Sequence, residues 1–493
     1  MKNFIDKIGL SLILVLTVVM TYSCNSEQAT VEILPIVNKA VSDTNSPFYV
    51  NFANYPKDLS KLSIGIFDEG ISGLVVNENF LKLDKYNNIT GKEEKDGIPD
   101  MAGENFQVFL DVANSPYVTY FSQDNIDYLR ELLVKNSIFL MQNQFYNLSI
   151  DKKPTLDKKQ VKIIINACDE NILKSSSDIN TMLDKSSTGI KIIGVYESGI
   201  LSALARKKKD EYIGIITSDE ALKSGDLNKR IKEIATKSGY TDKVNLFVFS
   251  DNYLLEAMKD NPDYISKNLF SVRDSYKGPI LGKNENDIDL EILDIYNFNF
   301  SNNGILCTIK NGKYDCLQLN SLENYIRYQV VTILDRYRRS GIQKPLNSLL
   351  LRYEYSYQVE ELIKKVISEL QKKLINGVPI YKNLISEKFV LINPSQAAAA
   401  RCYRLMRAQK LLALNIEEGT LSIYMSIPSY QLPYSVLTND GALSFSFKYS
   451  RKEGSDKLDT KNVFATRRYF GSKNIEVIKR YTPLVYSKIK NKI

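Results

Sequence analysis

The side chains that could move protons in this chain are limited by composition, because none of its 493 residues is histidine. Acid–base chemistry must come from Asp, Glu, Cys, Tyr or Lys. Ser-His-Asp and Cys-His catalysis are excluded, and so are His-ligated zinc and haem sites. Two candidates stand at the ends of short β-rich runs: Cys168 follows Val161–Ala167, and Asp68 follows Leu62–Phe67. A thiol and a carboxyl group in these places could exchange protons with a bound substrate.

Both candidates depend on strands that would present them at one edge of a sheet. Short β-rich runs alternate with helical patterns along the chain, which is typical of βα units and a parallel sheet. In such α/β folds ligands bind outside the carboxyl ends of the strands. The predicted strands are Leu62–Phe67, Gln107–Asp111, Val161–Ala167, Lys191–Tyr196, Tyr212–Thr217, Lys243–Phe249, Leu346–Leu351 and Phe389–Ile392, and the predicted helices are Gln123–Met141, Leu222–Gly239, Gln358–Ile375 and Ser395–Leu412.

The N-terminus is typical of a targeting segment. Lys2 and Lys7 give the chain a positively charged start and precede an apolar run, residues 8–20. This run is short for a membrane span. The run ends at Thr21-Tyr22-Ser23-Cys24, which resembles the cleavage box of bacterial lipoproteins; an ordinary secretory signal is the alternative. We expect a signal peptide over 1–24, lipidation of Cys24, a polar tether over 25–59, and attachment to the periplasmic or outer-membrane face of a bacterial cell envelope.

Export to an oxidising compartment would affect the redox state of Cys307 and Cys316. These two residues flank a sequence that is typical of a hairpin turn. Asn311-Gly312 is the strongest two-residue turn signal, and counting outward from it places Cys307 opposite Cys316. Directly opposed side chains lie within disulfide reach. In an oxidising compartment we predict a structural disulfide between them. The hairpin lies in a stretch rich in Asn, Asp and Tyr, at about 251–325, that we interpret as an insertion.

The net charge of +8 is concentrated at the C-terminal end. Residues 441–493 contain thirteen Lys or Arg and four Asp or Glu, a local charge of +9, which leaves about −1 for the rest. Such a run is typical of a solvated face, and contact with anionic lipid is the alternative. No nucleic-acid-binding motif accompanies it, so nucleic acid is not expected as a partner. Within residues 421–493, Leu421–Ile427 and Leu443–Tyr449 alternate as half-buried antiparallel strands do.

Six motifs resemble, in order, those of glutamate racemases. Residues 64–74 (IGIFDEGISGL) resemble IGVFDSGVGGL, and residues 111–117 (DVANSPY) resemble DTARxPY. Residues 161–170 (VKIIINACDE) resemble the strand that carries the first catalytic cysteine; the remaining motifs are residues 192–199, 213–225 and 391–401. The resemblance covers about 60–250 and 330–412. It implies two flavodoxin-like α/β domains related by a pseudo-twofold axis, with the substrate held between them and no cofactor or metal.

That family uses two cysteines, one on each face of the substrate α-carbon, to remove and return a proton. The resemblance places Cys168 at the first cysteine and implies a role for Asp68 beside it. Tyr353 stands where the second cysteine should be, and Tyr355 stands where the family has a histidine. The missing histidine therefore reflects a substitution at the site itself.

The substitutions also make the expected site acidic. Glu69, Asp169, Glu170 and Glu354 replace small neutral residues of the family, and Asp68 adds a fifth carboxyl group. A dicarboxylate would be repelled by roughly 2–3 kcal/mol per pair, and the pKa of Cys168 would rise. A cationic ligand or a hard cation would suit such a cluster. The substrate-binding positions implied by the family are Glu69, Pro116, Tyr117, Val118, Asp169, Glu170, Glu354 and Tyr355.

We expect domain A over 60–197 and 388–420, domain B over 198–387, and a basic C-terminal extension over 421–493. Two functions remain open. One is a diverged amino-acid racemase or epimerase that uses Cys168 against Tyr353. The other is a catalytically inactive binding or interaction module at the cell envelope. In either case we expect three partners. They are a small-molecule ligand, which is an amino acid or a cation, the membrane, and a second copy of the chain in a homodimer.

Overall fold

Two parallel sheets organise the chain. The computed structural model describes residues 33–168, 175–207, 210–224, 226–240, 243–251, 253–352, 354–413 and 418–492. The strands, in chain order, are Ser63–Asp68 (β1), Phe106–Leu110 (β2), Gln144–Phe145 (β3), Leu156–Asp157 (β4), Val161–Asn166 (β5), Lys191–Gly194 (β6), Tyr212–Thr217 (β7), Asn245–Ser250 (β8), Ile305–Lys310 (β9), Lys313–Leu319 (β10), Leu346–Leu350 (β11), Ile385–Ile392 (β12), Leu421–Pro428 (β13) and Thr460–Phe464 (β14).

The first sheet has the order β14-β13-β2-β1-β5-β6, and the second has the order β12-β11-β7-β8. All neighbours in both are parallel except β13 and β14. Counted by chain order, β1, β2, β5 and β6 are arranged 2-1-3-4, and β7, β8, β11 and β12 repeat that arrangement. This is the flavodoxin-like order. The predicted α/β class is therefore confirmed, and the repeated order is what two related domains require.

Helices cover both sheets and supply their cores. Among the residues that the structure describes, no helix is long and apolar enough to cross a bilayer. The helices are Pro35–Ser42, Ser72–Lys82, Val118–Ser122, Ile126–Met141, Ser175–Ser186, Val195–Arg206, Asp219–Ser224, Asp226–Lys237, Leu254–Met258, Leu293–Tyr296, Leu322–Arg339, Tyr357–Lys372, Pro394–Ala408, Phe445–Ser450, Arg467–Tyr481 and Pro483–Ile489.

The helix Val195–Arg206 joins the two sheets. It begins directly after β6 and packs against β11 and against the helix Pro394–Ala408. A Cβ atom on Gly199 would lie 2.7 Å from the Leu350 side chain and 3.1 Å from that of Pro394. The Leu350 side chain and Pro394 would have to shift to admit this atom, so glycine favours the close approach of the helix. β12 pairs with β11, so the second unit extends to Ile392 rather than ending at 387.

The stretch after 420 belongs to the first sheet. β13 was predicted as an antiparallel strand, but it pairs in parallel with β2, and β14 then pairs antiparallel with β13. The strand predicted over Leu443–Tyr449 is wrong: Phe445–Ser450 is a helix, and the Ser444 hydroxyl caps it by accepting a hydrogen bond from the Phe447 backbone. A serine at the N-cap offers the backbone a helical alternative to the strand.

The C-terminal helices close the structure across both sheets. Ile478, Val485 and Ile489 are buried in the core of the first sheet, whereas Tyr481 packs into the core of the second. The Glu78 carboxylate accepts hydrogen bonds from the backbone of Leu484 (3.2 Å) and of Val485 (2.9 Å). The basic extension thus has an apolar inner face, and two of its cationic residues, Arg451 and Lys461, are buried as well.

The expected polar tether is wrong for residues 33–59. The helix Pro35–Ser42 buries Ile36, Val37 and Ala40, which share one face, against the first unit. Lys39 fixes the helix further through an ion pair with Asp456 (2.8 Å). Apolar residues at helical spacing explain why this stretch is folded.

The hairpin β9–β10 forms at the predicted turn, but its register differs from the prediction. Asn311 and Gly312 both have positive φ, as the favoured two-residue turn requires. A bulge between Tyr314 and Cys316 shifts the pairing, so Cys316 lies opposite Thr308 and Cys307 lies opposite Leu317. The predicted disulfide is contradicted, since both cysteines are free thiols in this structure. A shift of one residue moves side chains to opposite faces of the hairpin.

If the C-terminal segment is part of the core, truncating its buried side chains should destabilise the whole protein. Ile489 is 2% exposed, so Ile489→Ala should lower the free energy of unfolding by about 2–4 kcal/mol. Leu484, 39% exposed in the same helix, is the matched control, and Leu484→Ala should cost less than about 1 kcal/mol. Urea denaturation followed by circular dichroism measures both. Equal, small effects would mean that this segment does not contribute to the core.

Candidate functional site

A cavity of about 370 Å³ lies where the carboxyl ends of the two sheets meet. Residues following β1, β2, β7 and β11 line it, as expected for an α/β fold. The helix Leu254–Met258 and the C-terminal helix Arg467–Tyr481 form the rest of the wall. The lining residues are Glu69, Gly70, Ile71, Ser72, Val75, Ser115, Pro116, Val118, Ser218, Leu255, Met258, Lys259, Arg352, Glu354, Val477, Ile478, Tyr481 and Thr482.

The polar end of this cavity begins at the loop after β1. Asp68 is fully buried, and its Oδ2 accepts a hydrogen bond from the Ser72 hydroxyl (2.5 Å). Glu69 faces the cavity, and its carboxylate accepts hydrogen bonds from the Tyr117 backbone N–H and from the Ser115 hydroxyl. Burial raises the pKa of Asp68 well above its ordinary value, against the effect of Ser72. Burial likewise raises the pKa of Glu69, against the hydrogen bond from Tyr117.

A buried network below the cavity fixes the loop after β2. Asp111 accepts hydrogen bonds from the Tyr117 hydroxyl (2.5 Å) and from the Asn114 side chain (2.7 Å). Asn136 donates to the Tyr117 hydroxyl (2.8 Å), and Arg451 donates to the Asn114 amide oxygen (2.6 Å). This network holds Tyr117 so that its backbone N–H reaches Glu69. The Tyr117 ring is therefore a support of the loop and is not part of the cavity wall.

Cys168 lies beneath the cavity and does not line it. The residue is 4% exposed and packs in the core of the first unit. Burial raises the pKa of its thiol well above the ordinary value, and the nearby carboxylates of Asp68, Glu69 and Asp111 raise it further. Because the thiolate is the reactive form, this environment keeps the group in its unreactive state at neutral pH.

The loop after β11 contributes an ion pair instead of a second thiol. Arg352 donates two hydrogen bonds to the Glu354 carboxylate (2.5 and 3.2 Å), and both line the cavity. Tyr355 is fully buried in the second core, and its hydroxyl donates to Asp251 (2.8 Å). Burial raises the pKa of Tyr355 well above its ordinary value, and Asp251 adds to the effect. Tyr355 is therefore a core residue, so its expected contact with the substrate is contradicted.

The structure brings together four of the expected binding residues, Glu69, Pro116, Val118 and Glu354, on one cavity wall. Asp68 and Cys168 lie behind that wall. Four residues named from the sequence, Cys24, Asp169, Glu170 and Tyr353, lie outside the described residues. Where the structure describes the chain, no group of three or more Cys, Asp or Glu side chains is arranged to hold a metal ion.

Sequence reasoning missed two contributions to this site. Asp111 supports the loop, and its place at the end of a predicted strand was a signal that could have identified it. The wall formed by Val477, Ile478 and Tyr481 had no such signal, because these residues lie beyond the stretch that resembles any known motif. Their apolar spacing alone indicates a buried face without indicating what it covers.

No protein-family model matches this chain, and no curated protein gives a significant match. Several solved structures are similar to it at low identity. A glutamate racemase from Bacillus anthracis is 14% identical, with a TM-score of 0.39, over 74% of this chain and 89% of that one. A Francisella tularensis glutamate racemase in complex with D-glutamate is 15% identical, with a TM-score of 0.36, over 74% and 89%. One from Aquifex pyrophilus is 15% identical, with a TM-score of 0.35, over 76% and 92%.

The burial of the thiols predicts their order of reaction. At neutral pH iodoacetamide should modify the half-buried Cys307 and Cys316 first, and Cys168 and Cys402 roughly tenfold more slowly or only after unfolding. Peptide mass spectrometry under native conditions and in urea measures the rates. The urea sample is the control in which all four should react. A Cys168 that reacts as fast as Cys307, or a linked Cys307–Cys316 peptide, would contradict the structure.

Proposed function

We propose that this chain is a small-molecule-binding protein of the cell envelope that retains a racemase-like frame without the two-thiol reaction. The cavity between the two sheets is the binding site. The observation that carries the proposal is that this cavity has binding groups on its wall while the Cys168 thiol is buried behind it. A site of about 370 Å³ falls within the range of small-ligand pockets.

Racemisation without a cofactor requires two groups that exchange protons on opposite faces of one carbon atom. On the first side, burial raises the pKa of the Cys168 thiol, and the carboxyl groups of Asp68, Glu69 and Asp111 raise it further. On the second side the chain has Tyr353 in the place of the cysteine. The adjacent Arg352 cannot readily assist a tyrosinate, since Glu354 already holds its guanidinium. These features support binding over catalysis.

The alternative is a diverged racemase, and one observation favours it. Behind the cavity wall, the buried carboxyl group of Asp68 is near enough to Cys168 to raise the pKa of its thiol, as in a proton-transfer pair. A substrate that displaces the Glu69 loop would then reach the thiol. This function and the binding function differ in one measurable property, which is exchange of the substrate α-proton.

We expect the full chain to bind small molecules without exchanging their α-protons. Incubation in deuterated water with D- and L-amino acids should give no α-deuterium by NMR beyond that of a buffer control. Titration calorimetry on the same amino acids and on small amines should nevertheless detect binding. The expected absence of exchange follows from the raised pKa of the Cys168 thiol.

Two variants decide between the functions. Cys168→Ala should leave binding within about twofold of wild type, because the thiol does not line the cavity. Cys402→Ala, which removes a fully buried thiol outside the site, controls for general destabilisation. Exchange that is present in wild type, lost in Cys168→Ala and kept in Cys402→Ala would establish the racemase and overturn the binding function.

We also propose that the protein is attached to the membrane through lipid on Cys24. The support is the sequence around Ser23-Cys24, together with the folded body that begins close behind it at Pro35–Ser42. Two or more acyl chains on one residue would give stable attachment.

Cys24→Ser should abolish this attachment. Cells that express the full chain with labelled palmitate should give a labelled protein in the membrane fraction, and Cys24→Ser should give none. Cys307→Ser is the matched control, since that cysteine is in the folded body and should not affect labelling. An unlabelled wild-type protein, released to the soluble fraction, would indicate an ordinary secretory signal instead.

A further inference from the structure

We infer that the ligand of the cavity carries a positively charged amine next to a small apolar group, and that Glu69 is the counter-ion of the amine. The inference rests on the proposed function, because it names the chemical class that this site would bind. It follows from three features of the wall: a carboxyl group without an ion-pair partner among the described residues, basic side chains that are already engaged, and several apolar side chains.

Of the described residues on the cavity wall, two are acidic, Glu69 and Glu354, and Glu354 is paired with Arg352. The Glu69 carboxylate is held by two neutral donors, the Tyr117 backbone N–H and the Ser115 hydroxyl at 3.4 Å. In the part of the chain that the structure describes, Glu69 forms no ion pair with a Lys or Arg side chain. A carboxylate removed from water is unfavourable unless a cation approaches it. A ligand ammonium group would supply the missing charge.

The basic residues at the cavity have partners already. Arg352 is held by Glu354 through two hydrogen bonds, and Lys259 pairs with Glu256 at 2.7 Å. Lys448 contacts the same loop as Glu69, but its Nζ donates to the Ser115 carbonyl oxygen (2.6 Å). A ligand carboxylate would have to displace one of these partners, so this wall favours a cation over an anion.

The helix that starts at Ser72 does not reverse this preference. The N-terminus of a helix attracts negative charge. Here Asp68 already occupies that position, with its carboxyl group bonded to the Ser72 hydroxyl. A ligand carboxylate placed there would lie next to both Asp68 and Glu69. The free carboxylate of an amino acid is therefore a disadvantage, and a simple amine or an amino-acid amide fits better.

The rest of the wall is apolar, and for this reason we expect the ligand to carry an apolar group next to its amine. Side chains from three separate parts of the chain form it: Ile71, Val75, Leu255, Met258, Val477 and Ile478. Burying a branched alkyl group of four or five carbons against them is favourable, because it removes apolar surface from water. The cavity wall thus combines the Glu69 carboxyl group with apolar side chains, which matches the charge and the apolar part of an alkylammonium ion.

Three molecules of nearly equal shape test the charge preference. Isothermal titration calorimetry of the full chain at pH 7.5 would use 3-methylbutylamine, 3-methylbutan-1-ol and 4-methylpentanoate, which are cationic, neutral and anionic. We expect the amine to bind at least about tenfold more tightly than the alcohol, and the carboxylate to bind more weakly than both. Glu69→Gln should remove the tenfold advantage of the amine and leave the affinity for the alcohol unchanged.

Two further variants keep the test decisive. Glu69→Asp retains the charge and should retain part of the preference for the amine, whereas Glu94→Gln removes an exposed carboxylate elsewhere and should change nothing. Circular dichroism verifies that each variant is folded. Binding of the alcohol or the carboxylate without a preference for the amine would overturn this inference and leave the proposed function intact. No binding of any of the three, or of the amino acids tested above, would overturn both.

Discussion

The close contact at Gly199 is the constraint on which the site depends. The helix Val195–Arg206 packs against a strand of one sheet and a helix of the other unit, and a larger residue at 199 would require Leu350 and Pro394 to shift. Since the strands of both sheets run parallel, their carboxyl ends face a common space only while this helix stays in place. The cavity is a product of that packing and not of any residue that lines it.

Within this frame the electrostatics follow from a lack of compensating charge. Asp68, Glu69 and Asp111 approach Cys168 in a region with little water. In such low-dielectric surroundings burial raises the pKa values of Asp68, Glu69 and Cys168. The thiol of Cys168 is thereby kept in its less reactive, protonated form.

The sequence predicted the sheets well because apolar β-rich runs between turns have few other stable arrangements. It also placed Glu69, Pro116, Val118 and Glu354 on the cavity wall, since those residues follow strands in recognisable motifs. It failed for the inward turn of Tyr355, which depends on Asp251, a neighbour far away in the chain. It also missed two local features, the bulge before Cys316 and the Ser444 cap of the helix Phe445–Ser450, because alternation of apolar residues reveals neither. Residues 33–59 and the C-terminal helices pack against surfaces formed by distant parts of the chain. The periodicity of their apolar residues alone does not identify those surfaces.

The pairing of β2 with β13 joins Phe106–Leu110 to residues more than three hundred positions later. Contacts of such long sequence separation form slowly, because a long loop must close before they stabilise anything. Until residues 421–464 arrive, one side of β2 is an open strand edge that could pair with other chains. This edge exposes a partly folded chain to aggregation until the first sheet is complete.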